Sequence, residues 1–312
     1  MARRAPRVLA IGDAIVDRIT PSIAYLPQGD FQGHIDAFET LPGGNATNFA
    51  LQMGRLGATA AFRGFLGHDA NADLLRHAYQ RNGVRSIVRT DPRRPTGATV
   101  ALSWIGGGRA LITSIGANGS FRLRDVPPTA FRGLDHVHRA GYWWTPHLIG
   151  RPTAVLLSRA RRAGARTSLD VSTDPLGWPR ERIRSVRICL PFVDTFFGNE
   201  VEVCALGSAS SPFDAARRIC ALGVTEVVIH RGPRGAASIT PDMVTKAHAF
   251  SVREANPTGC GDVFNAGYVY AQLRGDTVTE ALRFANACSA LHLRDRRRPY
   301  ARISEVRRFL AS

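Results

Sequence analysis

Residues 193–230 read VDTFFGNEVEVCALGSASSPFDAARRICALGVTEVVIH. An apolar run, Val193 to Asn199, gives way to helical spacing over Glu200 to Leu206; a second helical stretch, Asp214 to Leu222, leads into another apolar run, Thr225 to His230. Short apolar runs of this kind, alternating with helices, predict a parallel sheet covered by helices on both faces. The rhythm continues outward. Toward the N-terminus, Arg7 to Gly12 and Ala58 to Leu66 read as strands. A helix starts at Asn45, with Ala46, Phe49, Ala50, Met53 and Leu56 at helical spacing, and another covers Asp69 to Asn82. Between these halves, Val137 to Gly141 precedes a helix over Pro152 to Ala163, and Arg166 to Ser172 precedes one over Arg180 to Val186. Helices over Gly261 to Leu273, Val278 to Leu293 and Ile303 to Leu310 close the chain.

Two segments break the rhythm. Ile19 to Leu41 carries Pro21, Pro27, Gly29 and Gly33 and reads as irregular. In Thr96 to Ser114 the runs ATVALSWI and RALITS flank Gly106-Gly107-Gly108, a hairpin signal. With no internal repeat and no long linker, residues 1–312 are expected to form one α/β domain. The segments 19–41 and 96–114 would make a small β accessory. Placed beside the carboxyl ends of the strands, where open α/β sheets bind ligands, it would serve as a lid.

Composition excludes several classes. Lysine and arginine number 41 against 25 acidic residues, a net charge of +16, and Lys246 is the one lysine. The basic clusters Arg161-Arg162, Arg296-Arg297-Arg298 and Arg307-Arg308 are short and lack interleaved aromatics, so they read as solvated helix faces and a nucleic-acid partner is not expected. Five scattered cysteines argue against a disulfide framework or a zinc site. The basic start Met1-Ala-Arg-Arg is followed by an apolar run that Asp13 and Asp17 interrupt, unlike a secretory signal, and no stretch reaches the length of a membrane span. A soluble, cytoplasmic protein is expected.

The chemistry is concentrated in Ala255-Asn-Pro-Thr-Gly-Cys-Gly-Asp262. Small residues at 259–261 can expose backbone N–H groups at a helix start, where the helix dipole also favours an anion. A carboxylate at Asp262 would repel that anion unless it serves as a base for an attacking hydroxyl; the alternative is that Pro257 and Asp262 only shape and cap the helix. Four other segments lie at strand ends. Gly43-Gly44-Asn45 to Asn48 opens a helix with two glycines and two amides. Asp17 follows the first strand and can accept from vicinal hydroxyls. Asn199-Glu-Val-Glu202 offers donors to a hydrated metal, and His230-Arg-Gly-Pro-Arg-Gly235 forms a glycine-punctuated turn.

With these motifs the chain resembles the ribokinase, or PfkB, family of carbohydrate kinases over nearly its whole length; Thr258-Gly-Cys-Gly-Asp262 is similar to that family's D-T-x-G-A-G-D signature. The resemblance implies a ribokinase-like αβα sandwich with a mostly parallel sheet and a β lid. It implies transfer of the γ-phosphoryl group of ATP to a primary hydroxyl. Asp262 would be the general base, and the amides of Gly259, Cys260 and Gly261 the anion hole. Asp13, Asp17, Gly43, Gly44 and Asn48 would bind the acceptor. Asn199, His230, Gly232, Gly235 and Asn286 would face the nucleotide, and Glu202 would hold Mg²⁺ through water. A homodimer through lid strands is also implied.

The chain departs from the signature at Asn256, which replaces an aspartate and puts a monovalent-cation site in doubt, and at Cys260, which replaces an alanine and places a thiol at a helix start. Arg231 is open to two readings, a phosphate partner or a solvent-facing side chain. So are Trp143 and Trp144, as a stacking platform or as core, and Asp170, as a ligand or a turn cap. Phe31, His34 and Phe38 would close over the ligand or pack the lid. A small sugar or sugar acid is the expected acceptor, with a nucleoside as the alternative. A silent sugar- or nucleic-acid-binding relative is the rival from another class.

Overall fold

The computed structural model describes residues 4–26, 29–30, 32–105, 108–253, 256–295, 297 and 299–312. Of the positions singled out above, Met1 to Arg3, Pro27, Phe31, Gly106, Gly107, Ala255, Arg296 and Arg298 lie outside the described residues.

Seven parallel strands form the body of a nine-stranded sheet. In spatial order they are β5 (Val84–Thr90), β4 (Thr59–Leu66), β1 (Arg7–Ile11), β8 (His136–Arg139), β9 (Arg166–Asp170), β10 (Thr195–Asn199) and β11 (Glu226–His230). Two antiparallel strands, β12 (Ala236–Ile239) and β13 (Val244–Ala247), extend the far edge. The strands are apolar on both faces because each face is covered. Val8 and Ala10 join one core with α1 (Asn45–Arg55), α2 (Ala70–Arg81), α7 (Cys260–Arg274), α8 (Val278–Leu293) and α9 (Ile303–Ala311). Leu9 and Ile11 join the other with α3 (Arg151–Arg162), α4 (Arg180–Arg187), α5 (Glu200–Gly207) and α6 (Pro212–Cys220). Phe196 and Phe197 on β10 divide between the two cores in the same way. The result is the expected three-layer αβα sandwich, and the expected helices match to within about two residues.

A second sheet of four strands has the order β3 (Glu39–Gly43), β2 (Ile15–Ile23), β6 (Gly97–Trp104) and β7 (Arg109–Ser114). The accessory therefore begins at Ile15 rather than Ile19. The strand runs through Pro21 because its register against β6 shifts between Ile19 and Ser22, where the missing N–H is tolerated. Pro42 is accommodated because β3 is an edge strand. Fully buried Asn118, just after β7, ties this sheet to the end of β1: its Oδ1 accepts from Ala14 N at 2.9 Å, and its Nδ2 donates to Ala14 O at 2.9 Å.

Five strands are not anticipated by the sequence pattern: β2 and β3, in and beside the stretch 19–41 read as irregular, and β5, β12 and β13. In β5 arginine and serine interrupt the apolar residues, as suits the edge of a sheet. At four residues each, β12 and β13 are too short to show a period.

Burial sets the stability of this frame. Leu156 on α3 is fully buried, and Leu156→Ala is expected to cost about 2–5 kcal/mol in urea unfolding through lost transfer energy and a residual cavity. Exposed Val201 on α5, changed to Thr, is expected to shift stability by less than about 0.5 kcal/mol in the same measurement.

Candidate active site

The carboxyl ends of β1, β8, β9, β10 and β11 and the first turns of α1 and α7 bring the candidate residues together. Asp262, in the first turn of α7, is buried. Its Oδ1 accepts from Asn45 Nδ2 at 3.0 Å, and its Oδ2 accepts from Asn48 Nδ2 at 2.8 Å. The Tyr300 hydroxyl donates to Asn48 Oδ1 at 2.9 Å, which fixes the orientation of that amide. Burial, and then the charge of Asp170, hold the Asp262 carboxyl well above the ordinary range; the two amides oppose this only in part.

Helix α1 is held from below. Gly44 offers no capping side chain, so fully buried Asp13 accepts instead from Asn45 N at 3.1 Å and Ala46 N at 3.0 Å, and its carbonyl accepts from the Thr47 hydroxyl at 3.0 Å. Asp13 thus lies beneath the cleft as the cap of α1, its carboxyl raised by burial. Asp17 is buried on β2, its carboxylate packed where a Cβ on Gly43 would stand.

Gly259, in the left-handed region at φ 84°, is the N-cap of α7, and a Cβ there would meet Asn48 Nδ2 at 2.9 Å. The amides of Gly259 and Gly261 donate to no acceptor among the described residues. The Cys260 amide donates to Pro257 O at 3.3 Å, so two of the three expected anion-hole donors stand open and the third closes a turn. The Cys260 thiol faces Ser289 O at 4.0 Å. Asn256 takes up the role of its side chain locally, accepting from Thr258 N at 3.0 Å.

The remaining candidates form a second cluster. Asn265 Nδ2 donates to Asp170 Oδ2 at 2.7 Å, leaving Asn265 Oδ1 toward His230 Nε2 at 2.8 Å; the proton of that histidine therefore sits on Nε2. Burial lowers the His230 pKa. Asp170 Oδ1 also accepts from Ser172 N at 2.8 Å, so both readings of this residue, turn cap and site member, meet in one place. Asn199 and Glu202 form a reciprocal cap on α5: Asn199 Oδ1 accepts from Glu202 N at 3.0 Å and Glu202 Oε2 from Asn199 N at 2.8 Å. Thr173 and Asn199 Nδ2 each donate to Glu202 Oε1 at 2.7 Å. Burial, then the charge of Asp170, raise the Glu202 carboxyl to about 7. The buried, mutually repelling oxygens of Asp170 and Glu202, beside the Asn199 amide, are hard donors that fit a hydrated divalent cation.

Other expectations resolve locally. Arg231 pairs with Glu200 at 3.0 Å and is partly buried over Phe213, so its partner is a carboxylate of its own chain. Gly232 and Gly235 bound the turn between β11 and β12. Asn286 on α8 donates to His248 O at 3.0 Å, anchoring the chain after β13. Trp143 is buried against Tyr142 and Trp178, with the Arg182 guanidinium 4.1 Å from its ring centroid. Its reading as core therefore holds, while Trp144 is half-buried. His34 and Phe38 are exposed. Tyr300, Asn265 and His292, whose ring lies 3.2 Å from Thr258 O, escape the sequence reading because only tertiary contacts bring them to the site.

A cleft of about 1360 Å³ separates the second sheet from the Asn256–Thr258 loop; Ile19, Ala101, Ser103 and Arg109 line one wall, Pro257 and Thr258 the other. Among the described residues no helix is long and apolar enough to cross a membrane.

Comparison with known proteins agrees with this geometry. The pfkB family carbohydrate kinase profile matches residues 5–297. The chain is 30% identical to the ATP-dependent ribose-1-phosphate kinase of Halopiger xanaduensis, over 91% of each protein. It is 28% identical to the aminoimidazole riboside kinase of Salmonella typhimurium, over 91% of this chain and 88% of that protein. The structure of Arabidopsis thaliana ribokinase complexed with ribose and ATP superposes with a TM-score of 0.84 at 23% identity, over 99% of this chain and all of the other. The chain belongs to the PfkB family of carbohydrate kinases and is a phosphotransferase of the sugar and nucleoside kinase kind.

Proposed function

We propose that this protein transfers the γ-phosphoryl group of ATP to a primary hydroxyl of a small sugar or sugar acid, with Asp262 as the general base. One observation carries this reading: a buried carboxyl with a raised pKa stands in the same helical turn as the open amides of Gly259 and Gly261. The acceptor oxygen bonds to phosphorus as the bond to the bridging oxygen of ADP breaks, and Asp262 takes the hydroxyl proton. A base poised above the usual carboxylate range suits proton transfer near neutral pH. The Gly259 and Gly261 amides, aided by the α7 dipole, receive the negative charge of the phosphoryl group.

Asp17 and the α1 amides would grip the acceptor, with Asp13 setting the position of α1. Asn199, His230, Gly232, Gly235 and Asn286 would line the nucleotide side. Glu202 and Asp170 would hold Mg²⁺ through water; when bound with ATP, Mg²⁺ supplies charge neutralisation to the phosphates. The second sheet would act as the lid that excludes water, and its exposed edge strand β7, bearing Leu111 and Ile112, would pair two copies. ATP dependence fits a cytoplasmic setting. A nucleoside acceptor is the second reading, favoured by the likeness to an aminoimidazole riboside kinase.

ADP release measured with Mg²⁺ on a panel of sugars, sugar acids and nucleosides tests the reading. Asp262→Asn is expected to lower kcat by about 10²–10⁴ with ATP binding kept; a variant as active as wild type would remove Asp262 from the chemistry and favour a silent binder. Tyr300→Phe frees Asn48 to turn, withdraws a hydrogen bond from the Asp262 carboxylate and raises its pKa further. The acid limb of the kcat/KM profile is therefore expected to move to higher pH.

Stability should also titrate. With its folded pKa near 7 against an ordinary 4.5, Glu202 keeps a proton in the native state that the unfolded chain has released. Stability therefore falls as pH rises between those values and levels off above them. In urea unfolding, Glu202→Gln is expected to flatten the fall whatever its absolute stability, and an unchanged slope would contradict this assignment.

A further inference from the structure

We propose that His292 is a positioning residue that serves as a built-in cation: its imidazolium joins the anion-hole loop to the segment after α8, and the chain needs no monovalent metal ion there. This rests on the reading of the Gly259 and Gly261 amides given above.

His292 lies in the last turn of α8 and is 1% exposed. Its Nδ1 stands 3.1 Å from the Pro299 carbonyl oxygen, and its Nε2 stands 3.2 Å from that of Thr258. A carbonyl oxygen can only accept, so each contact calls for an N–H on the ring. Neutral imidazole carries one N–H, and its other nitrogen would turn a lone pair on a carbonyl oxygen. Only the imidazolium donates to both.

This bridge holds the backbone on which the site is built. Thr258 directly precedes Gly259, and a Cβ on Gly259 would come within 3.2 Å of His292 Nε2. Pro299 precedes Tyr300, whose hydroxyl orients the Asn48 amide and whose ring centroid lies 5.5 Å from that of His292. One side chain thereby sets both the start of α7 and the residue that steers Asn48 against Asp262.

The surroundings act on the ring in both directions. Among the described residues, burial, the start of α7 and the guanidinium of Arg109, which donates to the Thr258 hydroxyl at 2.6 Å, oppose a positive charge; Arg294 and Arg297, after α8, add to this. The end of α8, Asp295 in the same stretch and Asp262, bonded to Asn48, favour it. Tyr300, and Cys260 against Ser289 one turn back along α8, are the other titratable groups beside it. The two carbonyl oxygens decide between these effects, because they touch the ring and no neutral form satisfies both.

The same contacts exclude a metal ion. Oxygens around Asn256 are already engaged by donors: Asn256 Oδ1 by Thr258 N at 3.0 Å, Leu293 O by Asn256 N at 3.3 Å, and Thr258 O and Pro299 O by His292. Asn256 itself brings no charge. N–H groups aimed at these oxygens repel a cation, so the residues present do not fit a monovalent-ion site.

Nitrogen-15 spectra of the histidine rings in wild type, with His292 assigned through its contact with the Tyr300 ring, test the charge directly. Near neutral pH both of its nitrogens are expected to carry a proton; a signal from an unprotonated nitrogen overturns the inference. ADP release in KCl is expected to stay within about twofold of that in tetramethylammonium chloride at equal ionic strength, and a larger activation by potassium overturns it while leaving the role of Asp262 standing. Neither measurement needs a variant. In His292→Ala, with thermal unfolding to confirm the fold, kcat is expected to fall by about tenfold or more, and imidazole or KCl should restore part of it. His292→Gln, which keeps a donor without the charge, should lose rate as well. A wild-type kcat in His292→Gln, or an alanine variant that neither imidazole nor KCl restores, would show that the ring only packs, and overturns the inference. If wild type phosphorylates no acceptor in either salt and Asp262→Asn consumes ATP as wild type does, the function proposed above falls, and this inference with it.

Discussion

A buried carboxylate clamped by two amides from a helix more than 200 residues away in sequence is the contact on which this molecule turns. Asp262 cannot keep its place on α7 alone, because the first turn of a helix offers it no side-chain partner from within. Asn45 and Asn48, three residues apart on α1, supply both donors, and they can do so only while the start of α1 is fixed. Asp13 fixes it from the end of β1, and Tyr300 fixes the Asn48 amide from beyond α8. The central sheet thereby transmits its rigidity to one carboxyl group.

That arrangement concentrates negative charge before any phosphate arrives. Asp170 serves as the hub: it orients Asn265 and through it His230, while its field raises the carboxyls of Asp262 and Glu202. Such crowding disfavours the ionised states of Asp262 and Glu202, and a cation or a positively charged side chain entering the cleft relieves it. In the proposed reaction, nucleotide, divalent ion and a closing second sheet would relieve it together, and the phosphoryl group would meet preorganised donors instead of water.

The layered frame was largely legible in the chain. Continuous apolar runs such as VDTFFGN and TEVVIH require burial on both faces, and helical spacing between them supplies the cover. The glycines and amides of 43–48 and 259–261 also declared themselves, since their residue types suit close backbone approach at helix starts. Less visible were β5, whose arginines suit an edge, and the strands β12 and β13, too short to carry a period. The course of β2 through Pro21 was hidden too, because a local change of register, and no property of proline itself, makes room for it.

Sequence by itself determined the alternation of strand and helix, the αβα layering and the residue types gathered at the strand ends, because periodicity and turn chemistry are local. Tertiary structure alone decided what each polar group touches. It made Asp13 the cap of α1, paired Arg231 with Glu200, buried Trp143 beneath Arg182, and brought Tyr300, Asn265 and Arg109 to the site. Hydrogen bonds and ion pairs between segments far apart in the chain follow from packing geometry, which no spacing within a single segment encodes.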